Sequence, residues 1–116
     1  MDLLLRQSEA GRAVFVSASS ARSARPYWGL YAASKTALEA MVKSYAGEMK
    51  TSSVKANVFW PGAVRTAMRA QAFPGENPEK NPMPDVVAPK LVDMIAPDYD
   101  ESGSWDDCEI YTRTAL

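Results

Sequence analysis

The stretch Gly29-Leu-Tyr-Ala-Ala-Ser-Lys-Thr-Ala-Leu-Glu-Ala-Met-Val-Lys-Ser-Tyr-Ala-Gly-Glu-Met49 decides the fold. Ala, Leu, Lys and Glu favour a helix. Ala33, Ala37, Met41 and Tyr45 recur at spacings of four, with Leu38, Val42 and Ala46 beside them, which predicts a helix over 29–49 with one side against a core. Thr51, Ser52 and Ser53 then break the pattern. Glu39 and Glu48 read as members of the solvated face.

On the N-terminal side, Gly11 and Arg12 lead into Ala-Val-Phe-Val-Ser at 13–17, a short apolar run that suits a buried strand of a parallel sheet. Ala18 to Pro26 is small, polar and rich in Ser and Arg, and reads as a loop at that strand's C-terminal end. On the other side, Val54 to Trp60 reads as a second buried strand, stopped by Pro61-Gly62. Strand, helix, strand in this order predicts a right-handed βαβ crossover and an α/β fold. Residues 72–84 hold Pro74, Gly75, Pro78, Pro82 and Pro84, and read as a lid-like loop that a ligand or partner would order. Asp85 to Ala96 reads as a short amphipathic helix, with Asp85 as N-cap, Pro89 in the first turn, and Val86, Leu91, Met94 and Ile95 facing the core. Residues 101–116 read as a terminal strand and tail, the strand formed by Cys108 to Tyr111. No internal repeat interrupts the chain.

At 116 residues, 47% apolar and a net charge of −1, the composition fits one small globular domain. Charge this balanced gives no footprint for nucleic acid or a membrane surface. No apolar run approaches the roughly 20 residues of a spanning helix. Leu3, Leu4 and Leu5 are hemmed by Asp2 and Arg6, so no signal-peptide core forms and the chain reads as cytoplasmic. With Cys108 as the single cysteine and no histidine, the usual zinc clusters and both Ser-His-Asp and Cys-His catalysis are excluded within this sequence, and no metal site is expected. Acid–base chemistry falls to Tyr, Lys or a carboxylate.

Tyr31 and Lys35 stand four apart on the predicted helix, so both side chains share one face. An ammonium beside a phenol favours the phenolate, making a tyrosine usable for proton transfer nearer neutrality than its ordinary pKa of about 10. The bland reading of the pair is a solvated helix face. Ser52-Ser-Val-Lys55 matches the Ser-x-x-Lys of penicillin-recognising enzymes, but that motif opens a helix, whereas here it joins a helix end to a strand. Arg25, Tyr27 and Trp28 are candidates to line a substrate pocket or simply to pack.

Taken together, Gly-Arg-Ala-Val-Phe-Val-Ser17, Tyr31-Ala-Ala-Ser-Lys35 and Val54-Lys-Ala-Asn-Val-Phe-Trp-Pro61-Gly62-Ala-Val-Arg-Thr66 resemble the short-chain dehydrogenase/reductase family from about residue 11 to 70. The resemblance implies a NAD(P)-dependent oxidoreductase moving a hydride between a nicotinamide and a small carbonyl or alcohol. Tyr31 would exchange the proton, and Lys35 would lower the phenol's pKa and bind the ribose. Pro61 and Gly62 would lie beside the nicotinamide, with Thr66 on its carboxamide. The family's serine, thirteen residues before the tyrosine, is replaced by Ala18. Ser19 takes that role if the loop is one residue shorter, with loop polarity the alternative for Ser17, Ser19 and Ser20.

The family's Gly-rich phosphate turn and its Asn-Asn-Ala-Gly segment have no counterpart in 1–116. The expectation is therefore the C-terminal, catalytic part of the domain: a partial Rossmann-like parallel sheet of about three strands lacking the N-terminal βαβ units. Such a sheet exposes an apolar edge and face, which predicts a homo-oligomer or association with the missing half. The expected cofactor is NAD or NADP, with the isolated chain open to binding neither. The rival expectation is a non-enzymatic interaction chain docking through the helix 29–49, and a third is a makeshift fold assembled from two copies.

Overall fold

A computed structural model describes residues 1–107. The elements in chain order are α1 (Asp2–Gln7), β1 (Arg12–Val16), α2 (Gly29–Glu48), β2 (Lys55–Trp60), α3 (Ala67–Ala72), α4 (Pro84–Met94) and β3 (Trp105–Asp107), with 3-10 turns at Ser19–Ala21 and Pro78–Lys80. The strand expected at Cys108 to Tyr111 lies outside the described residues.

The three strands form one parallel sheet in the order β1-β2-β3. Arg12 pairs with Lys55 and Val16 with Phe59, while Val58 pairs with Trp105. Because successive strand side chains point to opposite faces, β2 serves two cores at once. Ala56 and Val58 pack with Val42 and Ala46 of α2, joined by Ala13, Phe15, Leu38, Tyr45 and Trp60. Phe59 faces the other way, against Val87 and Met94 of α4 with Val14, Val64, Leu91 and Tyr99. Helices therefore cover both faces of the sheet. Each fully buried side chain such as Phe59 or Met94 contributes about 1.5–3 kcal/mol of transfer free energy.

The inward face of α2 differs from the expected stripe. Ala32, Glu39, Val42 and Ala46 are buried, whereas Ala33, Ala37 and Met41 point outward, with Met41 70% exposed. Leu38, Val42 and Ala46 were the correct part of the pattern, joined from the other stripe by Tyr45, which packs on the same core. In α4 the N-cap is Met83, Pro84 opens the helix, and Asp85 lies in the first turn. Pro89 is inside the helix rather than in its first turn. Val87 is the residue α4 buries near its start, while Val86 and Ile95 stay about half exposed. α3 arises where the sequence suggested no element: the Thr66 side chain accepts from the Arg69 N–H and caps it.

Two polar devices join the ends of these elements. Asn57, buried in β2, donates from its amide to the Glu101 carbonyl and accepts from the backbone and hydroxyl of Ser104, steering the chain into β3. Arg12 donates to the carbonyls of Ser53 and Pro97, linking the start of β1 to the turn before β2 and to the segment after α4. α1 is held to α2 by the Tyr45 hydroxyl, which donates to Asp2 at 2.6 Å. Gly11 follows α1, and a Cβ there would lie 2.5 Å from the Leu5 carbonyl oxygen, so the close approach requires glycine.

Candidate functional site

Parallel strands all deliver their C-terminal ends to one edge of the sheet, where loops converge and ligands bind in open α/β folds. β1 ends at Val16 and β2 at Trp60, and Ser17 extends the pairing by donating its N–H to the Phe59 carbonyl. The segment 17–28 and the Pro61-Gly62 turn leave from this edge.

α2 opens beside it, bringing Tyr31 and Lys35 near the strand ends. The Lys35 ammonium donates to the Val16 carbonyl at 3.1 Å and lies 5.8 Å from the centre of the Tyr31 ring. Tyr31 is 38% exposed, open to a reactant. One residue after Lys35, the Thr36 hydroxyl donates to the Ala21 carbonyl and holds the 3-10 turn against the helix. Pro61 and Gly62 follow β2 directly, and Gly62 has φ of 75°, a conformation that favours glycine. Thr66 caps α3 a short step beyond.

The serines divide sharply. Ser19 is exposed at the first position of the 3-10 turn, whereas Ser17 is buried and donates to Glu39 at 2.6 Å. The Ser20 hydroxyl is shielded from solvent without a hydrogen-bond partner. Ala18, in the expected serine slot, separates Ser17 from Ser19.

Glu39 corrects the sequence reading, which put it on the solvated face of the helix. It is buried rather than solvated, and one carboxylate oxygen accepts from both the Ser17 hydroxyl and the Trp60 indole N–H, the latter at 2.8 Å. Its spacing from Lys35, Val42 and Ala46, by four, three and seven, was the available signal.

Of the three aromatic-loop candidates, Arg25 and Tyr27 are fully outside, and Tyr27 adopts φ of 69°. Trp28 packs: its ring meets Tyr31 edge-on at 5.6 Å and stacks on Phe73 at 5.3 Å. The Arg69 guanidinium also lies over the Phe73 ring, 3.7 Å from its centre. Arg69 in turn makes two hydrogen bonds to Glu76, which also accepts from Asn81. Arg65 donates to the carbonyls of Pro78 and Asn81. The loop over 73–82 is thus tied by Arg65, Arg69 and its own Glu76 and Asn81, and leans on Trp28. The Arg69 hydrogen bonds, then that from Asn81, hold the Glu76 carboxyl down to about 2. Among the described residues no helix is long and apolar enough to cross a membrane.

The family model for short chain dehydrogenases matches residues 1–77. Uncharacterized oxidoreductase YciK of Escherichia coli K12 is 43% identical over 95 residues, which are 82% of this chain and 37% of that protein. The chloroplastic NADPH-dependent aldehyde reductase-like protein of Arabidopsis thaliana is 43% identical over 75 residues, 65% of this chain and 27% of its own length. A short chain dehydrogenase structure from Escherichia coli CFT073, complexed with NADPH, superposes with a TM-score of 0.85 at 40% identity, covering 90% of this chain and 44% of that one. The chain therefore spans less than half the length of these relatives. Their likeness establishes the α/β sheet as part of a Rossmann-type fold.

Proposed function

The chain belongs to the short chain dehydrogenase family, and on that premise we propose that it carries the proton-transfer side of an NADPH-dependent reduction of small aldehydes or ketones. One observation carries the reading: Lys35, anchored on the Val16 carbonyl, stands beside an accessible Tyr31 at the C-terminal edge of a parallel sheet. The names of the relatives support the cofactor and the substrate class, one being an NADPH-dependent aldehyde reductase-like protein and one structure holding NADPH. The Tyr31–Lys35 pair, with no Gly-rich phosphate turn within 1–116, supports assigning these residues to the catalytic part of the domain, with 72–84 as its lid.

The residues present fit such a cofactor. An ammonium and a phenol at the strand ends suit a ribose diol, the turn at Gly62 brings backbone close without a side chain, and the Thr66 hydroxyl, already accepting from Arg69, keeps its proton to donate to a carboxamide oxygen. A nicotinamide bound there supplies or accepts the hydride. Tyr31 gives its phenolic proton to the substrate oxygen as the carbonyl is reduced and takes it back in the reverse direction. Lys35, held on the Val16 carbonyl, places its ammonium to bind the ribose beside the Tyr31 ring. Ser19, exposed on the neighbouring turn, donates a hydrogen bond to the same substrate oxygen in place of the residue at Ala18.

The test is NADPH consumption with a panel of small aldehydes by the 116-residue chain and by Tyr31→Phe. Loss of the proton donor lowers turnover by about 10²–10⁴-fold. A wild-type chain that binds NADPH yet consumes it no faster than Tyr31→Phe would defeat the reading.

A second reading is favoured by the outward face of α2, where Leu30 is 92% and Met41 70% exposed beside Ala33 and Ala37. On this reading the helix docks a second copy of the chain, and function survives Tyr31→Phe unchanged.

A further inference from the structure

We propose that Glu39 is the positioning residue of this site, orienting Tyr31 and Lys35 through Ser17 and Trp60; the proposal rests on the catalytic reading of that pair. Glu39 is 8% exposed, and a carboxylate stripped of water persists only where donors replace the water. Here the donors come from two different strands. Ser17 follows the end of β1 and Trp60 ends β2, and both hydrogen bonds, at 2.6 and 2.8 Å, converge on one oxygen of Glu39.

An apolar residue at this point would pack as Leu38 and Val42 do, without direction. A shared acceptor instead fixes the rotation of α2 about its axis relative to the two strand ends. That rotation decides where Lys35, one turn earlier, and Tyr31, two turns earlier, stand at the edge of the sheet. Lys35 on the Val16 carbonyl and Thr36 on the Ala21 carbonyl complete the grip, so residues 35, 36 and 39 together hold the end of β1 and the serine-bearing turn. Trp60 extends it outward, since the Arg22 guanidinium sits 4.4 Å from the centre of its ring. The segment carrying Ala18, Ser19 and Ser20 is thereby bracketed between Ser17 and Arg22, both tied back to Glu39.

The experiment uses the full 116-residue chain with Glu39→Ala, Glu39→Gln and Ser17→Ala. Site-resolved amine labelling compares Lys35 with the exposed Lys50, and amide exchange compares 17–22 with Val58, whose N–H donates to Ser104 within the sheet. Glu39→Ala is expected to speed labelling of Lys35 relative to Lys50 by about three- to tenfold, the worth of one ordinary hydrogen bond. Exchange at 17–22 should rise about tenfold with Val58 unchanged. Glu39→Gln, which keeps an acceptor oxygen of the same reach, restores most of both.

Lys35 labelling and loop exchange within twofold of wild type in folded Glu39→Ala would overturn the proposal, as would a failure of Glu39→Gln to rescue. If Glu39→Ala does not fold, Ser17→Ala removes one donor and leaves a void no larger than a hydroxyl. Its Lys35 ratio should rise about threefold, and an unchanged ratio overturns the proposal equally. Neither readout requires turnover, so failure of the catalytic reading is registered separately, by Tyr31→Phe in a chain with Glu39 intact.

Discussion

Gly62 turns the chain out of β2 with φ of 75°, where an L side chain meets the following carbonyl. Gly62→Ala should lower stability by about 1–2 kcal/mol, read as a lower urea midpoint at unchanged slope. An unchanged midpoint would mean the turn relaxes to an ordinary conformation. At this scale the sequence was legible wherever a candidate's partners lay nearby in the chain: Tyr31 and Lys35 share one helix face, and Pro61-Gly62 is a dipeptide. Glu39 was illegible because its two donors lie 22 and 21 residues away and meet it only once the strands pair. A glutamate on a helix reads as solvated until something shows which way the helix faces. Ser17 closes the strand expected at 13–17, but its hydrogen bond to Glu39 was hidden for the same reason.

Among the elements, the connection from β2 to α4 departs furthest from its sequence. Five prolines and glycines between 72 and 84 signalled irregularity, and irregular it is, but the pattern held no sign that Arg65 and Arg69 would fold it onto Glu76, Asn81 and two carbonyls. β1, β2 and α2 were legible because their periodicity is local, and only the choice between two adjacent stripes of α2 needed the sheet, whereas β3, at Trp105–Asp107, precedes the apolar patch that the sequence offered as the last strand. Pro89 misled because a proline is ordinarily confined to a helix's first turn, whereas here it stands inside α4. The loop's chief ion pair carries a pH dependence of definite sign. Glu76 has a folded value of about 2 against an ordinary 4.5, so its stabilising contribution is complete above about 4.5 and is lost as the pH falls toward 2. Glu76→Gln should therefore have a flatter acid limb than wild type across that window, with the two curves differing most above it. Parallel curves from pH 5 down to 2 would show that the pair is already broken in solution.

For the whole molecule, a three-stranded sheet covered by helices on both faces pairs β1 on only one side among the described residues. Leu3, Leu4, Leu30 and Met41 add exposed apolar surface. So small a core leaves little reserve, and anything that binds only the folded state should raise its melting temperature measurably. Thermal unfolding with NADPH, with NADH and across protein concentrations separates the sources of that reserve. A dinucleotide at a hundredfold excess over its Kd contributes about 2.7 kcal/mol, which for a domain of this size is a rise on the order of 10 °C. A rise with NADPH alone matches the relatives whose names specify it, and supports a cofactor site complete enough within these residues to hold the nicotinamide end. A melting temperature that climbs with protein concentration and ignores both dinucleotides points to docking through α2 or the free edge of β1. In that case the Tyr31–Lys35 pair acts only when further chain supplies the phosphate-binding turn, and the same titration repeated with a longer chain should recover the NADPH shift.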